Sequence, residues 1–134
     1  MKHKSFKKFM VLALSCIMVV SFSLTAFAES KSDSASTSLG DDGMMYVGIR
    51  VGDNLVQGDI STTVISDMYI QGYCLYTDLY DDNVRRGLSA SRAQDYSCAA
   101  FISRSNTLFT YADIEYTAYN NDGVRAYQHL NLDF

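Results

Sequence analysis

The sequence predicts an all-β domain: a small antiparallel β-sandwich of immunoglobulin-like size with about seven strands, with a small β-barrel as the alternative. Three observations lead there. Apolar residues recur at every second position through most of residues 44–134. Clusters of Gly, Asn and Asp interrupt them at short, regular spacing. Helical spacing is weak throughout. The length of 134 residues allows one such domain.

Ahead of the domain, residues 1–28 read as a secretory signal peptide. Lys2, Lys4, Lys7 and Lys8 precede an apolar run from Phe9 to Leu24, and Ala26 and Ala28 supply small residues before Glu29. The run is shorter than the roughly 20 residues that cross a bilayer as a helix, which favours cleavage over an anchor. Cleavage removes four lysines and no acid. Seven basic residues then face 15 acids, a net charge of −8. A chain so acidic is a poor match for nucleic acid and anionic membranes, so neither is an expected partner, and the mature protein is expected to be secreted and free of the membrane. Residues 29–43 (ESKSDSASTSLGDDG) are rich in serine and nearly free of large apolar side chains. They read as a flexible leader that cannot bury enough surface to offset its own ordering. The folded domain is then expected over 44–134.

The strands follow in order. Residues 44–51 alternate, with Val47, Ile49 and Val51 on one face, and Gly52, Asp53 and Asn54 form a turn. Residues 55–65 carry Ile60, Thr62 and Val64 in phase. Residues 68–80 are long and aromatic, and Asp81, Asp82 and Asn83 end them. Residues 84–92 place Val84, Leu88 and Ala90 together, and residues 95–105 do the same with Tyr96, Cys98, Ala100 and Ile102. In residues 107–119, Leu108, Ala112, Ile114 and Tyr116 share a face. Phe109, Tyr111, Asp113, Glu115 and Thr117 take the other. Asn120, Asn121, Asp122 and Gly123 are the strongest turn in the chain, since Asn and Gly accept the positive φ of tight hairpins. In the last strand Val124, Ala126, Leu130, Leu132 and Phe134 point inward. Arg125, Tyr127, His129, Asn131 and Asp133 point out.

Cys16 falls in the signal peptide, which leaves Cys74 and Cys98. Two cysteines in an exported chain predict a disulfide, here a staple between facing sheets. Closing a loop of that size stabilises by roughly 3–4 kcal/mol in the chain-entropy account.

The pattern contains no nucleophile elbow, no zinc-protease helix, no phosphate-binding glycine loop and no dinucleotide fingerprint. Three weaker features remain. Asp113 and Glu115, two apart on one strand, share a face at about 7 Å, a spacing that glycosidase carboxylates can use, but a solvated strand face is the ordinary reading. Asp78, Asp81 and Asp82 form an acidic turn; solvation is the ordinary reading and a Ca²⁺ site the alternative. All ten tyrosines follow the signal peptide. Tyr69, Tyr73, Tyr111 and Tyr127 fall on outer faces, where tyrosine gives rigid contact area at small entropic cost. His129 reads as an exposed strand residue.

The expected function is therefore contact with an extracellular protein or glycan by a secreted, non-enzymatic protein. A small exported toxin of bacteriocin type and a carboxylate-dependent hydrolase are the alternatives.

Overall fold

A computed structural model of the chain describes residues 30–81 and 83–133. The signal-peptide reading, and Asp82 and Phe134, lie outside the described residues. Among the described residues the chain is all-β. Six strands, β1(Ser30–Ser38), β2(Met44–Gly52), β3(Leu55–Thr77), β4(Val84–Ser103), β5(Leu108–Asn120) and β6(Arg125–Asp133), form one antiparallel sheet. The sheet is nearly closed into a barrel, so the alternative architecture replaces two separate facing sheets.

The long β3–β4 ribbon organises the molecule. The first half of β3 pairs with β2 and its second half with β5, one after the other along the edge opposite β4. β1 extends from β2 and β6 from β5, so β1 comes to lie against β6. The closure between them uses side chains. The Lys31 ammonium donates to the Asp133 carbonyl at 3.2 Å, and the Gln128 amide reaches the Ser36 carbonyl at 3.4 Å and the Thr37 hydroxyl.

Seven candidate strands become six because two pairs fuse and one strand is added. Residues 55–65 and 68–80 are a single strand, as are 84–92 and 95–103. No Gly or Asn stands between the members of either pair, so the chain bends through bulges instead of turning. The register of β3 against β4 shifts between Ser61 and Ser66 and again by Met68. There the Thr62 and Ser66 hydroxyls both donate to the Val64 carbonyl at 2.8 Å. On β4, Gln94 takes a positive φ of 51°. Asp67 accepts from its backbone N–H at 2.9 Å and its side-chain amide at 3.1 Å, so both strands bend together. Such bends let one ribbon serve two walls of a barrel.

The added strand is β1, which corrects the reading of 29–43 as a flexible leader. Every residue from Ser30 to Ser38 has a register partner on β2. A β-ladder needs backbone groups more than large side chains, and composition does not register that gain. Ala35 and Thr37 turn inward and are half-buried, while the serines stay outside.

Interior packing follows the alternation. Val47, Ile49 and Val51 of β2, Ile60 and Ile70 of β3, and Ile114 and Tyr116 of β5 are buried together. Four residues break the expected phase; one is Tyr96, which is 51% exposed although Cys98 and Ala100 are buried. Phe109 is buried and Leu108 is 45% exposed, because the β3–β5 register skips a residue between Tyr111 and Phe109 and swaps the faces beyond it. Val124 belongs to the β5–β6 turn and is exposed. That turn forms as expected: the Asn120 side-chain oxygen accepts from the N–H groups of Asp122 and Val124, and Gly123 has φ 79°.

Tyr116 crosses the interior, and its hydroxyl donates to the Gly48 carbonyl at 2.6 Å. Burial pushes its phenol well above the usual range, so it stays a donor at every physiological pH. Tyr116→Phe should leave that carbonyl without its side-chain donor and cost about 1–3 kcal/mol, read from denaturant midpoints. An unchanged midpoint would show that the hydrogen bond contributes nothing.

The expected disulfide is not formed: Cys74 and Cys98 are both free and buried. Cys74 stands opposite Arg86 on β4, whereas Cys98 stands opposite Ile60 on β3. Their register positions differ by 12 residues on β4 and 14 on β3, whereas a disulfide needs Cα atoms within about 7 Å. Neither cysteine should react quickly with a thiol reagent until the protein unfolds, and both should react then. Added reductant should leave the melting temperature unchanged. Burial raises the Cys74 thiol from 9.0 to about 11, with Arg86 pulling the other way. The unfolded chain therefore loses this proton first as pH rises. The stability it contributes is complete below about 9 and lost by about 11.

Candidate functional site on the outer face of β3, β5 and β6

Register decides which outward side chains meet. Tyr69 of β3 aligns with Thr117 of β5, which aligns with Tyr127 of β6. The next row is Gln71, Glu115 and His129. The third is Tyr73, Asp113 and Asn131. Tyr111 sits one step beyond, with its ring centroid 5.9 Å from that of Tyr73. The four tyrosines singled out in the sequence thus share one surface, and both carboxylates of the predicted pair lie among them.

Hydrogen bonds tie this surface together. The Tyr111 hydroxyl donates to Asp113 Oδ2 at 3.0 Å, and His129 Nε2 lies 2.7 Å from Asp113 Oδ1. The Tyr127 hydroxyl donates to Glu115 Oε1 at 3.0 Å. Desolvation, then the bond to Asp113, raises the Tyr111 phenol to about 12. Tyr127 is raised for the same two kinds of reason, through Glu115. Both phenols are neutral donors at neutral pH. Arginines frame the rings: the Arg85 guanidinium carbon lies 3.9 Å from the Tyr73 ring centre and that of Arg125 5.2 Å from Tyr127. Tyr69 packs edge-on against Tyr119 at 6.1 Å.

Spacing placed His129 on the outer face but could not name Asp113 as its partner. The β5–β6 register sets His129 opposite Glu115, and the ring reaches diagonally to Asp113; the turn at Asn120 to Gly123 is the local signal for that register. Of the acidic turn, Asp78 and Asp81 are described and Asp82 is not. Asp78 Oδ1 accepts from the N–H groups of Tyr80 and Asp81 at 2.8 Å each, and these bonds hold its carboxyl below the usual range. Among the described residues no group of three His, Cys, Asp or Glu side chains is placed to hold a metal.

A cleft of about 650 Å³ lies elsewhere, between the β1–β2 turn, the bend of β3 and the β5–β6 turn; Asp41, Asp42, Val64, Ile65, Tyr96 and Asp122 are among its walls. The tyrosine surface lies outside it. No protein-family model, curated protein or solved structure matches this chain.

Proposed function

We propose that this is an exported, non-enzymatic binding protein that acts by surface contact, using the outer face of β3, β5 and β6 to hold an extracellular protein or glycan. The observation that carries the reading is the display of Tyr69, Tyr73, Tyr111 and Tyr127 beside the Asp113–His129 pair on a continuous sheet. Side chains already tied to their neighbours lose little freedom on binding. Tyrosine adds apolar area with a donor at its tip. Hydrolysis by Asp113 and Glu115 is less well supported. A general acid wants a carboxyl raised and sheltered in a cleft, and both groups lie on an open face with phenol donors upon them.

Two measurements test the proposal. The mass of the form recovered from the culture medium should correspond to a chain beginning at Glu29. Labelled protein should bind envelope material, secreted proteins or glycans of the producing cells. The double variant Tyr69→Ala with Tyr127→Ala should lose about tenfold or more in affinity at unchanged melting temperature. Undiminished binding in that variant, or binding to none of these materials, overturns the assignment.

A further inference from the structure

β4 has a strand partner on one side only. It pairs with β3 along nearly its whole length, and no other strand among the described residues pairs with it. The sheet's other two edges, β1 and β6, close on each other. A long edge with open N–H and C=O groups is a template for another strand.

The stretch 84–92 is the regular part of that edge. Its register against β3 runs without a break from Tyr76↔Val84 to Met68↔Arg92, before the bend at Gln94. It holds Arg85, Arg86 and Arg92 and no acid, in a strongly acidic chain. All three arginines are exposed, and none makes an ion pair among the described residues. Arg85 lies on the outer face over Tyr73. Arg86 and Arg92 stand opposite Cys74 and Met68, on the inner face at the open rim, with buried Leu88 and half-buried Ala90 between them. Along that face the edge reads Arg, Leu, Ala, Arg.

We propose that this edge receives an extended acidic segment of a partner protein, added as a further strand beside residues 84–92. Backbone hydrogen bonds supply affinity and alternate side chains supply selectivity. The fitting segment carries carboxylates six residues apart, to sit beside Arg86 and Arg92, with two apolar residues between them on the same face to cover Leu88 and Ala90. Either strand direction preserves that spacing. A second copy of β4 fits poorly, since it would bring two sets of three arginines together with no acid in either stretch. The surface differs from the tyrosine face, so either assignment can fail without the other.

The test uses the purified protein and a synthetic peptide of about ten residues. The peptide carries Glu at positions i and i+6, Val at i+2 and i+4, and Ser or Thr elsewhere. It should bind saturably and slow amide hydrogen exchange across 84–92. The same peptide with Lys for Glu should bind at least about tenfold more weakly, as should the Glu peptide to the Arg86→Glu, Arg92→Glu variant. Arg86 also donates to the Tyr76 hydroxyl at 3.4 Å, so Arg92→Glu alone provides a variant without that contact, with a loss of about threefold or more. Equal binding of the Glu and Lys peptides overturns the proposal. So does binding that leaves the 84–92 amides unprotected, or the absence of binding at about 1 mM. A dimer in solution whose 84–92 amides are already protected overturns it in favour of self-association.

Discussion

Gly72→Ala should destabilise the protein by about 3 kcal/mol or more, lowering the melting temperature by roughly 15 °C for a domain of this size. Gly72 is central, paired with Leu88 on one side and Ile114 on the other. A methyl group there would stand 2.1 Å from the Asp113 carbonyl oxygen and 2.8 Å from Ile114 Cα. Both are backbone atoms of the neighbouring strand, so no rotamer change relieves the clash and β5 must move. Gly87 provides the control. It lies on the same ribbon, opposite Tyr73, and a methyl group there meets nothing within 4 Å. Gly87→Ala should be neutral or slightly stabilising, because alanine narrows the unfolded ensemble. Denaturant midpoints for the two variants decide the matter, and similar values would show that β5 does not rest on Gly72. The effect reaches the candidate site, since the displaced strand carries Asp113, and with it the contacts to Tyr111 and His129.

Deleting residues 30–38 should cost on the order of 3–5 kcal/mol, a large part of the stability of a small domain. Composition alone says this serine-rich stretch can be removed at no cost. In the fold it pairs with β2 at nine consecutive positions, and it supplies the Lys31, Ser36 and Thr37 contacts to β6. Its loss opens the barrel and leaves the β2 edge bare over Val47 and Ile49. Amide exchange should quicken across β2 and β6 in the shortened chain, with a lower melting temperature. If the shortened chain melts with the full one, β1 is not part of the cooperative unit.

Much of the face assignment was legible in the sequence, and the reason is local. Side chains on a strand alternate whatever the strand pairs with, so Val47, Ile49, Val51, Ala126 and Leu130 could be assigned inward and Tyr69, Tyr127 and His129 outward. The β5–β6 turn could be read because Asn120 and Gly123 provide its geometry from within the turn. The phase failed at Phe109, where a register shift between two strands exchanges the faces and leaves no mark in either strand alone.

By itself, then, the sequence determined an all-β chain, the inner and outer faces of most strands, the closing hairpin and the outward placement of four tyrosines; register brought those tyrosines onto one surface. The tertiary structure alone decided that residues 30–38 form a strand, that bulges at Ser66 and Gln94 replace two turns, and that Cys74 and Cys98 are buried free thiols. It also decided that His129 meets Asp113 and that, among the described residues, β4 has a strand partner on one side only. Alternation and turn chemistry act between near neighbours in the chain. Strand pairing, register and barrel closure join residues tens of positions apart, and no local pattern encodes which of them meet.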